Sequence, residues 1–298
     1  MRKLALALLI TNLNAAVVLT KLDGRIEIAI DGKPFSTFYY GPEAPKPYLH
    51  PLRSASGKIV TRRFPMEEVP SDNKDRHHRG LWLGYKDING FDFWENEFSS
   101  SNPKAGEVVM RSVNIVDGTI AATFNWLAPF GEAILVEQRT MSFRGDAATR
   151  VVDLDITLRS VGTTTFADSK DGFFAVRLTE ALAEKSSGTL TNSNGGRKMK
   201  ETWGKQANWI DCSGELDGEK LGVAIFEHPS SFRSPPRWHV RDYGLLAANP
   251  FGSHAFDPDA APSSVTLKPG DTVRLRYRVV VHSALESGAL DDLFRGYH

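Results

Sequence analysis

Apolar and polar residues alternate with a period of two over long stretches of this chain. The run Arg25 to Ile30 is followed by Asp31-Gly32 and then by Phe35 to Tyr40. Alternation broken by an Asp-Gly step predicts a β-hairpin. Glu107 to Val116 and Thr119 to Trp126 flank a second such step, Asp117-Gly118, and predict another. Ala133 to Phe143 continues as a strand up to a turn at Arg144-Gly145-Asp146. Val152, Leu154, Ile156 and Leu158 alternate with Asp153, Asp155, Thr157 and Arg159, and between Val273 and Val281 three arginines alternate with Leu275, Tyr277 and Val279. Strands of this kind bury one face and wet the other. Phe173 to Leu178 and Leu221 to Phe226 read as shorter strands, and only Leu285 to Phe294 reads as helix. The pattern predicts an all-β fold with little helix, a large antiparallel β-sandwich forming one domain.

Between the strands lie stretches that no regular element accommodates. Gly41 to Pro51 holds Pro42, Pro45, Pro47 and Pro51, which excludes a helix and makes the segment a loop carrying Tyr48 and His50. Leu52 to Lys74 is irregular and charged, and leads into Asp75. Long irregular segments inside compact domains are usually functional or disordered. Gly188 to Gly196 reads as a simple loop.

Composition narrows the partners. Lysine plus arginine equals aspartate plus glutamate at 36 each in 298 residues, which disfavours nucleic acid and anionic membrane surfaces. The single cysteine, Cys212, can form no internal disulfide and reads as a bystander thiol. Met1-Arg2-Lys3, the apolar run Leu4 to Ile10 and Leu13-Asn14-Ala15 have the form of an export signal over residues 1–16. That places a mature domain, residues 17–298, in the periplasm or outside the cell. The apolar run is too short to span a bilayer, and the alternative is an amphipathic first strand.

Candidate chemistry concentrates in three places. Asp75 to Trp94 reads DRHHRGLWLGYKDINGFDFW, a density of histidine, arginine and aromatic residues that packing does not require. His77 and His78 are candidate acid/base groups, and Arg79 is a fork of donors for an oxygen-rich ligand. Trp82 and Trp94, with Tyr48 from the proline-rich loop, offer flat faces suited to sugar rings. Were the histidine pair extended, at most one of the two would face a given pocket. The second place, Glu227 to Gly252, supplies His228, Arg237, His239, Arg241 and Asn249. On a strand from Trp238 to Asp242, His239 and Arg241 share a face. The third is the charged turn Asp168 to Gly172, whose Lys170 becomes a catalytic candidate only if it lies beside the histidines. Standard nucleophile, phosphate-loop, zinc and dinucleotide signatures are absent from the sequence. No cofactor is required by the sequence, and a divalent metal on histidine and carboxylate remains open.

These same stretches carry a family resemblance. Lys46-Pro47-Tyr48, Pro51-Leu52, Ser56-Gly57, His77 to Trp82, Asn89-Gly90, Asp92-Phe93-Trp94, His228-Pro229, Trp238 to Gly244 and Asn249 to Gly252 together resemble the PmoA-like family, a domain of unknown function labelled as a methane oxygenase subunit. A membrane oxygenase subunit needs hydrophobic spans, which this sequence lacks. The resemblance implies instead an exported β protein similar to the supersandwich of galactose-mutarotase-like proteins and polysaccharide lyases. The expected function is a carbohydrate-acting enzyme, of epimerase, lyase or hydrolase type, on a small or oligosaccharide ligand. A non-catalytic carbohydrate-binding protein and a structural or assembly protein are the alternatives.

Overall fold

A computed structural model describes residues 16–70, 72, 74–283 and 285–297. The segment read as an export signal lies outside them, apart from Ala16. Two eight-stranded antiparallel sheets pack face to face. In spatial order the first contains β1 (Val17–Leu22), β2 (Arg25–Ile30), β3 (Lys33–Tyr39), β4 (Tyr48–Leu49), β5 (Leu81–Tyr85), β11 (Gly172–Arg177), β16 (Leu245–Asn249) and β15 (Arg237–Arg241). The second contains β12 (Thr189–Asn192), β13 (Trp209–Leu216), β14 (Glu219–Glu227), β18 (Thr272–Ser283), β9 (Thr149–Ser160), β8 (Ala133–Gly145), β7 (Thr119–Leu127) and β6 (Glu107–Val116). A small ribbon pairs β10 (Thr164–Phe166) with β17 (Val265–Leu267). Among the described residues helix is confined to one short 3-10 turn, α1 (Lys198–Thr202) and α2 (Ser287–Arg295). No helix among the described residues is long and apolar enough to cross a membrane.

The alternating strands of the second sheet follow the sequence pattern. In β9 Val152, Leu154, Ile156 and Leu158 enter the core between the sheets, while Asp153 and Asp155 face outward and pair with Arg278 and Arg274. The central strands of the first sheet are different, because both of their faces are covered. Leu81, Leu83 and Tyr85 of β5 enter the main core while Trp82 turns to the other side. In β11, Phe174 and Val176 point inward, and Ala175 belongs to a separate outer cluster. Burial on both faces removes the alternation, so every position of LWLGY, GFFAVR and LLAAN is buried, including Arg177 and Asn249 at the strand ends.

Two sequence expectations differ here. Residues 188–196 are not only a loop, because Thr189–Asn192 pairs along β13. The short polar stretch gains its strand character from that neighbour, which no local periodicity reports. Nor is the proline-rich segment only a loop, because Tyr48–Leu49 pairs with β3 and β5. Val17–Leu22, to which the sequence assigned no element, is the outermost strand of the first sheet.

Candidate functional site

The outer face of the first sheet carries one continuous row of paired residues. Tyr39 of β3 pairs with Tyr48 of β4, and Tyr48 with Trp82 of β5. Trp82 pairs with Ala175 of β11, Ala175 with Ala247 of β16, and Ala247 with His239 of β15. Tyrosine and tryptophan therefore stand at one side, histidine at the other, and two fully buried alanines lie between them. Tyr39 and Tyr48 stack with ring centres 5.0 Å apart.

Trp94 reaches this row from the loop after β5. Asp92 Oδ1 accepts the N–H of Trp94 at 2.9 Å, and the Trp94 carbonyl accepts a hydrogen bond from Lys46 Nζ at 2.6 Å. Lys46 also donates to Asn96 Oδ1 at 2.7 Å and is only 1% exposed. Burial pulls its amine down to about 7, against the pull of Glu97 toward the charged form.

Both histidines of the pair face the same cluster, contrary to the expectation for an extended segment. Residues 75–78 form a turn in which Asp75 has a φ of 50° and His78 N donates to the Asp75 carbonyl at 3.1 Å. A turn does not alternate its side chains as a strand does. The two imidazoles lie 4.2 Å apart, and His78 stacks on Trp82 at 5.2 Å. His77, His78 and His239 stand 6.0, 5.8 and 6.3 Å from the Trp94 ring. Gly80 closes the turn at a φ of 59°, where a Cβ would meet the Leu49 carbonyl at 2.3 Å.

Burial sets the charge state of these rings. It pulls His77 down to about 2 and His239 to about 3, and it holds His78 well below the ordinary imidazole range. Nearby cations, among them Lys46 and Arg177, push His77 and His78 further the same way. All three are neutral at pH 7. Arg177 Nη1 donates to Nδ1 of His78 at 3.3 Å. A guanidinium can only donate, so the His78 proton sits on Nε2. Arg177 itself stacks over Tyr243 at 4.1 Å, and its nearest carboxylate oxygen, on Asp75, is 4.0 Å away.

His239 is 3% exposed, and neither of its ring nitrogens has a hydrogen-bond partner of good geometry. Asp171 Oδ1 stands 3.5 Å from Nδ1, and the Lys170 backbone is the other polar neighbour. Lys170 Nζ holds the same Asp171 carboxylate at 2.8 Å, so Lys170 does lie beside a histidine. With a proton on Nδ1 facing Asp171, Nε2 of His239 is left as an acceptor. Among the described residues no three of His, Cys, Asp and Glu are grouped to hold a metal ion.

The remaining candidates divide. Arg79 grips Glu97 with two bonds of 2.8 and 2.5 Å and lies over Tyr48. Arg241 flanks the His239 end and lies over Trp203. Asn249 is spent on local structure, its amide donating to the carbonyls of Ser169 and Lys170. Arg237 holds the Gly204 carbonyl at 2.7 Å, beyond the aromatic cluster. His228 is not brought to this face at all. Its Nε2 is 2.8 Å from Arg276 and its ring packs on Tyr297, on the outer side of the second sheet. The reason is topological, since His228 directly follows β14 of that sheet while His239 lies on β15 of the other. Lys46, Asp171, Arg177 and Tyr243 belong to the site and were not among the candidate site residues, although Lys46 and Tyr243 lie in the motifs quoted above. Lys46 and Arg177 are buried and Asp171 and Tyr243 half-buried beside the histidines, a placement that appears only once the sheets are formed.

The chain resembles solved structures only at low identity. It is similar to the GH36 α-galactosidase AgaB from Geobacillus stearothermophilus, with 10% identity and a TM-score of 0.43, covering 90% of this chain and 41% of that one. It is also similar to a galactose mutarotase related enzyme from Lactobacillus acidophilus, with 9% identity and a TM-score of 0.41, covering 91% of this chain and 99% of that one. Among curated proteins nothing matches. Residues 25–295 match a single family over nearly their whole length, and the chain belongs to that family of unknown function, DUF6807.

Proposed function

We propose that the outer face of the first sheet is a carbohydrate site in which histidines transfer protons. The observation that carries this reading is the gathering of three neutral imidazoles around Trp94. A sugar ring that reaches this cluster past the half-buried His77, Asp171, Arg241 and Tyr243 meets aromatic faces at its sides and imidazole nitrogens at its edges. His239, backed by Asp171, acts as general base toward a sugar hydroxyl or an acidic C–H. His78, with its proton on Nε2, donates to the oxygen where negative charge develops, a role open to a neutral imidazole. Arg177 is a positioning residue, because it sets the His78 tautomer.

Epimerisation and elimination use such a pair, whereas hydrolysis of a glycosidic bond calls on two carboxylates. The finer PmoA-like assignment rests on the motifs around His77, Trp82 and His239, and with it goes export of the mature chain. Mass spectrometry of the secreted protein, expected to begin near Val17, tests the export reading.

The test of function is turnover of oligosaccharides by wild type and by His78→Ala and His239→Ala. A fall of about 100-fold or more in each variant, with folding intact, is expected from the usual contribution of general acid–base groups. Unchanged binding with no turnover in wild type would make the protein a carbohydrate-binding module instead.

A further inference from the structure

The edge strand β15 carries more of this face than the histidine. Arg237, His239 and Arg241 occupy alternate positions and share one side, which puts Arg237 about 7 Å along the strand from His239. Arg237 pairs with Asn249 of β16 and opens onto a cavity of about 460 Å³. Arg233 stands on the cavity wall with Ser234, Asn249, Ser253 and Ser263, and the lining contains no aspartate or glutamate.

Hydrogen-bond accounting leaves both guanidiniums with donors to spare. Arg233 Nη1 donates to the Ser263 carbonyl and Arg237 Nη1 to the Gly204 carbonyl. Each guanidinium has five donors. The acid behind the wall is Asp168, and its carboxylate is committed to the backbone N–H groups of Ser253, His254, Ala255 and Ser263. Asn249 ties the same wall to the Lys170-Asp171 loop beside His239 through the carbonyls of Ser169 and Lys170. The cavity and the base are thereby held in one frame.

We infer that this cavity is a subsite for the acidic group of a charged sugar. Paired guanidinium forks match the planar oxygens of a carboxylate and also take a sulfate ester. A volume of about 460 Å³ lies within the ordinary range of small-molecule sites, which run from roughly 300 to 1,000 Å³. One acidic unit occupies it while the adjoining unit extends along β15 toward Arg241 and His239. This inference rests on the carbohydrate reading of the histidine row.

Calorimetric titration of the full chain with two matched pairs tests it: trigalacturonate against galactotriose, and lactose 3′-sulfate against lactose. At least tenfold tighter binding of the acidic member of one pair is expected, and which pair responds separates carboxylate from sulfate. Arg233→Gln with Arg237→Gln should reduce that member to the affinity of its neutral partner. Arg233→Gln alone, at an exposed position that leaves the Gly204 bond intact, should cost threefold or more. Equal affinity within each pair, or an acidic sugar bound undiminished by these variants, overturns the subsite and leaves the carbohydrate reading standing. Failure of all four ligands to bind at millimolar concentration overturns both.

Discussion

Arg177 Nη1 and His78 Nδ1 are hydrogen-bonded at 3.3 Å, joining residues 99 apart in the chain. The bond fixes the imidazole proton on Nε2, because arginine has no acceptor to offer. Arg177→Met removes that constraint. In the wild type the His78 ring nitrogens should give the signature of a pure Nε2–H tautomer by ¹⁵N NMR. The variant should give averaged signals from both tautomers, and any turnover should fall at least tenfold while the far-ultraviolet circular dichroism stays unchanged.

Buried neutral histidines make the fold acid-sensitive. His50 is pulled to about 4 and His239 to about 3 by burial, below the ordinary value of 6.5, and His77 and His78 move the same way. In this range the unfolded chain binds protons that the native protein refuses. Their stabilising contribution is complete above pH 6.5 and is lost as pH falls toward the folded values. Urea unfolding between pH 7 and 4 should show stability falling by more than about 1.4 kcal/mol per pH unit, the limit for one group. His239→Gln should make that fall less steep.

Glu227 has the opposite sign. It is buried beside Tyr277 on the core side of β14, and desolvation pushes its carboxyl up to about 8 from 4.5. The native state holds a proton there that the unfolded chain has released, so this group weakens the fold as pH rises from 4.5 to 8. Glu227→Gln is expected to gain stability over wild type across that window, reaching a few kcal/mol at its upper end. Thermal melts at pH 5 and pH 8 check this, and an equal difference at both would contradict it.

Lys46 supports the site from beneath. Its two bonds, to the Trp94 carbonyl and to Asn96, hold the loop that carries Trp94 over the sheet. Lys46→Met keeps most of the volume and removes both donors, leaving two buried acceptors unsatisfied at a cost of roughly 1–3 kcal/mol each. The expected outcome is a destabilised protein whose Trp94 environment changes, read by urea unfolding and by near-ultraviolet circular dichroism.

Much of the fold was legible in the chain because half of its strands are wet on one face. The Asp117-Gly118 turn, the alternation through β9 and β18 and the terminal helix are where period and turn chemistry put them. The first sheet was harder to read, since β5, β11 and β16 are covered on both sides and lose their alternation. For the site, His239 and Arg241 were assigned to one face because β15 is a regular strand. For His77 and His78 the sequence left open whether one or both face the site, because residue types alone did not reveal the turn at Asp75. His228 lies near His239 in the chain but on the other sheet, a separation made by strand order and invisible to spacing. Arg177 and Lys46 acquire meaning only through burial, and Asp171 only through its place beside His239.

The most direct test of the central claim is an imidazole-observed NMR titration of the isotopically labelled protein with the oligosaccharide panel. The account predicts that the His77, His78 and His239 signals shift together on addition of a bound sugar, while those of His228 and of His282, buried on β18 against Asp211, do not. Binding that moves His228 or His282 and leaves the three rings around Trp94 unchanged would place the carbohydrate elsewhere and contradict the account.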